Sequence, residues 1–367
     1  ALYDSIAIAH DIRWDLPLCK REQTLAYMKD VQQRTLEKLA DGSLSASEQD
    51  RLLLSTFHED MHGEAFTYTR QTLGYPAPCW LQKGRHQESC KQPHASSASF
   101  CEDAEIPGGT FWLGATEDEP FVFDNEKWAH PVQVQPFVIS RTPVSQEQFA
   151  EFVAAGGYGR QELWSRSGWQ WRQEHEAEQP VYWRRGADGN WARRCFDEWV
   201  PLEAQRPVLH VNWHEAQAYC RWSKRRLPTE VEWEVAAAAE PESGELPRNK
   251  RRYPWGESFP EQGCANLDSQ VRGCIEVDAL GDGDSAFGCR QLLGNVWEWT
   301  ESDFFPYPGF EPGAYREFSK PWFGTHKVLR GGCWATRSRM LRNTLRNFYT
   351  PNRRDVWAGF RTCALPR

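Results

Sequence analysis

From about Ile106 onward the chain is cut into short pieces. Glycine and proline recur at turn-like intervals, aromatic residues fill the spaces between them, and few stretches hold a helical period. The whole chain carries 27 Gly, 23 Pro and 19 Trp in 367 residues. A segment broken this often cannot build long helices or long strands, so it must fold as a turn-rich unit around an aromatic core. Two helices are expected inside it, near Ser145–Ala155 and His214–Lys224. Thr229 in Leu227-Pro228-Thr229-Glu230 reads as a helix cap. Trp297 and Trp299 alternate with Val296 and Glu298, as in a strand with one buried face.

The preceding part has the opposite texture. Leu25, Met28, Val31, Leu36 and Leu39 recur near helical spacing, and Asp41-Gly42 ends the run. Ser45-Ala46-Ser47-Glu48 then has the form of a capping box, in which the Ser45 hydroxyl and the Glu48 carboxylate satisfy free backbone donors. That helix should run to Leu73 and stop at Gly74 and Pro76. The polar text around Lys83-Gly84-Arg85 and Ser96-Ser97-Ala98-Ser99 reads as a connector. The expected class is therefore α+β, with a helical, metal-binding part over 1–78, a linker over 79–104 and a second domain over 105–367.

The long helix carries Phe57-His58-Glu59-Asp60-Met61-His62-Gly63-Glu64. Histidines four apart share a helical face at about 5–6 Å, the separation at which two imidazoles can hold one metal ion. Leu54, His58, His62, Ala65 and Thr69 form one stripe, which predicts histidines facing inward. Three readings stay open at this point. His58-Glu59-x-x-His62 matches the zinc-hydrolase pattern with Glu59 as base; His-x-x-x-His-x-Glu ending at Glu64 matches a bundle site needing a third ligand; and the pair could be structural.

Composition narrows the partners. Lys plus Arg is 43 and Asp plus Glu is 51, a formal charge of −8, which argues against nucleic acid as the main partner. No apolar run reaches the roughly 18 residues of a membrane span. The 11 cysteines are an odd number at irregular spacings without Cys-x-x-Cys, so a reducing cytoplasm fits better than a disulfide framework.

Several phrases then stand in one order: Ile106-Pro107-Gly108-Gly109-Thr110-Phe111, Pro143-Val144-Ser145-Gln146, Pro207-Val208-Leu209-His210-Val211-Asn212-Trp213, Arg226-Leu227-Pro228-Thr229-Glu230, Gly294-Asn295-Val296-Trp297-Glu298-Trp299, Leu329-Arg330-Gly331-Gly332-Cys333-Trp334 and Gly359-Phe360-Arg361. Over Ile106 to Ala364 they resemble the formylglycine-generating-enzyme domain, a C-type-lectin-like fold. The family's two copper-binding cysteines fall at Thr336 and Leu341, so that copper chemistry is not expected here. Cys333 reads as a small buried residue.

Fused behind a His-x-x-x-His-x-Glu helix, the domain resembles the ergothioneine-type sulfoxide synthases and their ovothiol and selenoneine relatives. Phe121-Val122-Phe123-Asp124-Asn125-Glu126 and Leu345-Arg346-Asn347-Phe348 carry that resemblance further. It implies a DinB-like helical bundle, truncated in this chain, and one iron(II) held by three histidines. His58 and His62 match two of these. The third is expected upstream of residue 1, on a helix the chain lacks, with His10 as a substitute. Small-molecule partners are implied: hercynine, O₂ and a sulfur or selenium donor.

Asn347 and Phe348 fall where the family contacts hercynine, and Met61 replaces a Gln frequent before the second histidine. On the donor side, Arg353 is kept but the family's carboxylate has become Tyr349. A selenosugar, finding hydroxyl partners in Tyr349, Thr350 and Asn352, is thus favoured over cysteine or γ-glutamylcysteine. Arg13 is a candidate donor contact. Tyr307 and Tyr315 are candidates for the family's catalytic tyrosine, with Phe310 a position where a hydroxyl has been lost. A non-catalytic lectin-like binding module is the remaining alternative.

Overall fold

A computed structural model describes residues 8, 9, 11–82, 102–240, 246, 249–260 and 263–366. Two helices lead: α1 (Arg21–Ala40) and α2 (Ala46–Leu73). The capping box forms as the sequence predicts: the Glu48 N–H donates to the Ser45 hydroxyl at 3.3 Å and the Ser45 N–H donates to the Glu48 carboxylate at 2.9 Å. Gly74, with φ 65°, closes α2 in the left-handed region that glycine adopts without strain. α1 has no buried residue, and its Leu25, Met28, Val31, Leu36 and Leu39 are exposed. Within the described residues the N-terminal part is therefore two helices, with α2 alone seated on the rest of the protein.

A single turn, α3 (Cys79–Gln82), precedes the second domain. Its helices are α4 (Gln146–Ala154), α5 (Arg166–Glu174), α6 (Trp213–Trp222) and α7 (Glu230–Ala238). α4 and α6 match the two expected helices, and Thr229 caps α7 by accepting from the Glu232 N–H. α5 is not expected from the sequence, because Gly168 and the polar Gln170 and Arg172 around its two tryptophans hide its period.

The strands are short: β1 (Asp103–Ile106), β2 (Gly109–Leu113), β3 (His130–Val134), β4 (Phe137–Ser140), β5 (Trp183–Arg185), β6 (Trp191–Cys195), β7 (Glu198–Pro201), β8 (Arg225–Arg226), β9 (Trp297–Asp303), β10 (Lys327–Arg330), β11 (Arg346–Tyr349), β12 (Ala358–Gly359) and β13 (Cys363–Ala364). They make sheets in the orders β1-β4-β13-β8 and β11-β10-β9-β12, a β2-β3 pair and a β5-β6-β7 ribbon. β9 and β12 run parallel and β10 is antiparallel to both β9 and β11, placing Phe348 opposite Val328.

β9 corrects the one-faced expectation. Trp297, Glu298, Trp299 and Thr300 are all buried. Glu298 tolerates this because Arg361 grips it through two bonds of 2.6 and 2.7 Å and the Trp233 indole donates at 2.8 Å; a buried charge needs such partners. Gly331, φ 99°, is required where it stands, since a Cβ would lie 2.5 Å from the Leu292 carbonyl. Among the described residues no helix is long and apolar enough to cross a membrane.

Candidate metal centre and substrate cleft

α2 docks through a seam of polar residues. Its buried positions are Phe57, Asp60, Glu64, Thr67 and Gln71, spaced three and four apart and so on one face. Asp60 takes a two-point bond from Arg339 at 2.7 and 2.8 Å. Glu64 accepts from the Trp297 indole at 2.7 Å and from the Thr336 hydroxyl at 2.5 Å. Thr67 accepts from the Trp357 indole at 2.7 Å. Gln71 donates to the Arg194 carbonyl at 3.0 Å and accepts from the Phe196 N–H at 2.5 Å. Phe57 adds the apolar end, with its ring 5.0 Å from that of Phe121. Thr336, at one of the two positions that match the copper-binding cysteines of formylglycine-generating enzymes, thus holds α2 instead. Burial pushes the Glu64 carboxyl above its ordinary value, against the pull of its Thr336 and Trp297 donors.

This seam overturns the predicted inward stripe. His58 is half-buried, while His62 and Thr69 are exposed, because the helix turns its polar row, and not its histidine row, to the domain. The two imidazoles nevertheless stay together, with ring centroids 4.5 Å apart. Tyr315 adds a third ring 5.5 Å from His58. Burial, then the like charge of His62, lowers the His58 pKa, and Glu59 opposes them; this favours the neutral imidazole that binds metals. As adjacent donors the pair fits a metal ion. Among the described residues no third His, Cys, Asp or Glu completes the set, and His10 lies outside the described residues. Met61 is half-buried beside the pair and Glu59 is exposed.

From Tyr315 the rings continue into the domain. Tyr315 lies 6.3 Å from Phe318, Phe318 lies 6.2 Å from Phe348, and Phe348 stacks on Phe304 at 4.0 Å. Asn347 precedes Phe348 on β11, and its side-chain oxygen accepts the Phe348 N–H at 2.8 Å. Further along α2, Tyr68 and Tyr349 face the Arg353 guanidinium, which lies 5.4 and 4.6 Å from their ring centres. Desolvation raises both phenol pKa values. Arg353 itself is held by Asp355 through bonds of 2.9 and 3.0 Å. A cavity of about 360 Å³ opens here, lined by Thr72, Trp171, Tyr182, Thr350, Asn352 and Arg353 among others.

The structure therefore gathers His58, His62, Tyr315 and, through the ring series, Phe348, while Tyr349 on β11 and Arg353 beyond it face Tyr68 of α2 around the Arg353 guanidinium. Two other candidates stand elsewhere. Tyr307 is buried, donating to Glu230 at 3.2 Å with the Arg346 guanidinium 4.1 Å from its ring centre. Arg13 donates to the Ile8 carbonyl at 3.4 Å. Sequence reasoning missed Asp355 and Tyr68: the first carried a signal, an acid two residues beyond a selected arginine, and the second carried none.

Residues 90–365 match the family model of the sulfatase-modifying factor enzyme 1-like domain. The hercynine oxygenase of Mycolicibacterium smegmatis is 37% identical over 370 residues, covering 98% of this chain and 82% of its own length. The hercynine oxygenase of Mycobacterium tuberculosis is 38% identical over 366 residues with the same coverage. The chain belongs to the hercynine oxygenase family. At 98% coverage the likeness to these two hercynine oxygenases extends over the N-terminal helices as well as the second domain. The formylglycine-generating enzyme of Thermomonospora curvata, 32% identical, covers 71% of the chain, less than the two hercynine oxygenases above.

Proposed function

We propose that this chain is an oxygen-dependent enzyme that joins a chalcogen donor to the imidazole C2 of hercynine, with His58 and His62 holding an iron(II). The observation that carries this reading is the histidine pair, half-buried at His58 and exposed at His62, standing beside Tyr315 at the head of the ring series that runs through Phe318 to Phe348. Bound there, iron would supply the redox capacity for O₂ that zinc lacks.

The chain's own residues would do the rest. Hercynine's trimethylammonium suits the aromatic faces of Phe348 and Phe318, and its carboxylate suits an amide donor such as Asn347. Tyr315, beside His58, would hold a proton at its hydroxyl oxygen close to the reacting imidazole. Phe57, Phe121 and Phe123 wall off the side away from solvent and limit stray water. For the donor, the reading favours a selenosugar, giving a selenoxide. Thr350 and Asn352 line the cavity and offer hydroxyl and amide partners.

The test is to incubate iron-loaded protein with hercynine and O₂, adding selenosugar, thiosugar, cysteine or γ-glutamylcysteine in turn, and to read product mass. A selenosugar adduct of hercynine is expected. Absence of any hercynine adduct with all four donors would sink the reading.

A further inference from the structure

Tyr315 stands on a loop whose own burial does little to fix it. Glu311, Pro312, Ala314 and Arg316 are exposed, and an exposed loop with few apolar contacts opens easily. Two anchors tie it down, one on each side of the tyrosine, and both end on Asp124. The Gly313 N–H donates to Asp124 Oδ2 at 3.3 Å, and the Ser319 hydroxyl donates to Asp124 Oδ1. Ser319 also accepts from the Asn125 amide at 3.0 Å, so its one proton is committed to the carboxylate. Asp124 and Ser319 are both buried, and beside them the Phe318 ring stacks on Phe123 at 4.8 Å.

The segment that carries Asp124 is itself fixed to the domain. The Glu126 carboxylate accepts from Arg342 Nε at 2.9 Å and from the Thr344 hydroxyl at 2.7 Å, and Arg346 donates to the Asn125 carbonyl at 2.6 Å. This segment, the loop and α2 meet around a small cavity lined by Leu54, Asp124, Gly313, Tyr315 and Phe318 among others. There the Tyr315 ring comes within 5.5 Å of His58. We propose that Asp124 is a positioning residue for the reaction: by taking both anchors of the loop on one carboxylate it holds Tyr315 beside His58. This rests on the reading given above, in which Tyr315 keeps a proton next to the reacting imidazole. A carboxylate is needed because each of its oxygens accepts. An amide offers one acceptor, so in D124N either Gly313 or Ser319 loses its bond.

Two measurements on the full chain test it. The first needs no metal: trypsin cleavage after Arg316, which is exposed on the loop, is timed by mass spectrometry against cleavage after Arg34 on α1. Proteolysis of a folded chain follows the population of the locally opened form. D124N and S319A should speed the Arg316 cut relative to the Arg34 cut by about ten- to a hundredfold, the worth of one hydrogen bond to a charged group. The second is hercynine turnover by iron-loaded protein. D124N should lower kcat by about ten- to a hundredfold, the effect of a reacting group displaced by about 1 Å, while the hercynine KM moves far less. Y315F should lower kcat as well, and D124N/Y315F should be no slower than Y315F, because the carboxylate acts through the tyrosine. A merely structural role would make the two losses add. An unchanged cleavage ratio, an unchanged kcat in D124N or in Y315F, or additive losses overturns the proposal. Should D124N fail to melt cooperatively, S319A, which removes only a hydroxyl, carries both comparisons. Should the wild type give no hercynine product with any donor, the enzymatic reading fails there, and the cleavage ratio still judges the tether.

Discussion

Replacing Glu64 should loosen α2 from the domain that supports it. In Glu64→Ala, the Trp297 indole and the Thr336 hydroxyl lose the acceptors they now reach at 2.7 and 2.5 Å. Each buried donor left without a partner costs about 1–3 kcal/mol, so the pair sums to about 2–6 kcal/mol. Glu64→Gln keeps one carbonyl for the indole, and the Thr336 hydroxyl can rotate to accept from the new amide, for a loss of about 1 kcal/mol. Urea unfolding followed by tryptophan fluorescence, with slopes compared between variants, reads both values. A cycle with Thr336→Val should return a coupling of about 1–3 kcal/mol. The same pair of proteins gives a pH test. Burial holds Glu64 above its ordinary 4.5, and a carboxyl raised on folding stabilises fully below its unfolded value, then loses that contribution as pH climbs through the folded one. Glu64→Gln should therefore gain on the wild type as pH rises above about 4, where the unfolded carboxyl ionises. A Glu64→Ala protein within about 0.5 kcal/mol of wild type, the scatter of ordinary surface changes, would refute the seam as the element that seats α2.

Further expectations follow from the same geometry. His58→Ala should weaken cobalt(II) or iron(II) binding, followed by absorption spectroscopy, by more than about tenfold, since even an outer hydrogen-bond partner of a ligand is worth that; unchanged affinity would separate the histidine pair from metal. Phe348→Leu should raise the hercynine KM by about two- to thirtyfold, the span of an aromatic face's attraction for a cation of about 0.5–2 kcal/mol, and an unchanged KM would remove Phe348 from the cleft wall. Arg361→Ala strands the buried Glu298 carboxylate and should cost about 3–5 kcal/mol in unfolding free energy. Burial pushes His210 down to about 3 and His214 down to about 4; a histidine lowered on folding gives stability that is present above its unfolded value and lost as pH falls toward the folded one, at up to about 1.4 kcal/mol per pH unit. His210→Phe should flatten that acid limb, read from urea midpoints below about pH 6.5.

Local signals carried much of the fold. The Ser45/Glu48 box, the Gly74 stop and the Thr229 cap are short-range bargains between neighbouring side chains and backbone, and each was visible in a few residues. The face of α2 was not. Apolar periodicity pointed to the row of Leu54, His58 and His62, whereas the helix buries Asp60, Glu64, Thr67 and Gln71, residues whose partners Arg339, Trp297, Trp357 and Phe196 come from distant parts of the chain. A polar residue discloses its burial only once the group that satisfies it is known. β9 failed for the same reason: Glu298 reads as a solvent position until Arg361 is placed beside it. In the candidate site, the histidine pair and the Asn347–Phe348 step were legible because they are contiguous or helically spaced. The closure of Arg353 by Asp355 depended on side-chain direction, which spacing does not give.

The directional bonding along α2 has a mechanical consequence. An oily contact can creep, but a zipper of distinct donors and acceptors meshes in one alignment. Advancing the helix by a single turn, about 5.4 Å, would unmesh Asp60, Glu64, Thr67 and Gln71 together. The height of His58 above the aromatic wall is thereby indexed by teeth cut elsewhere on the same rod.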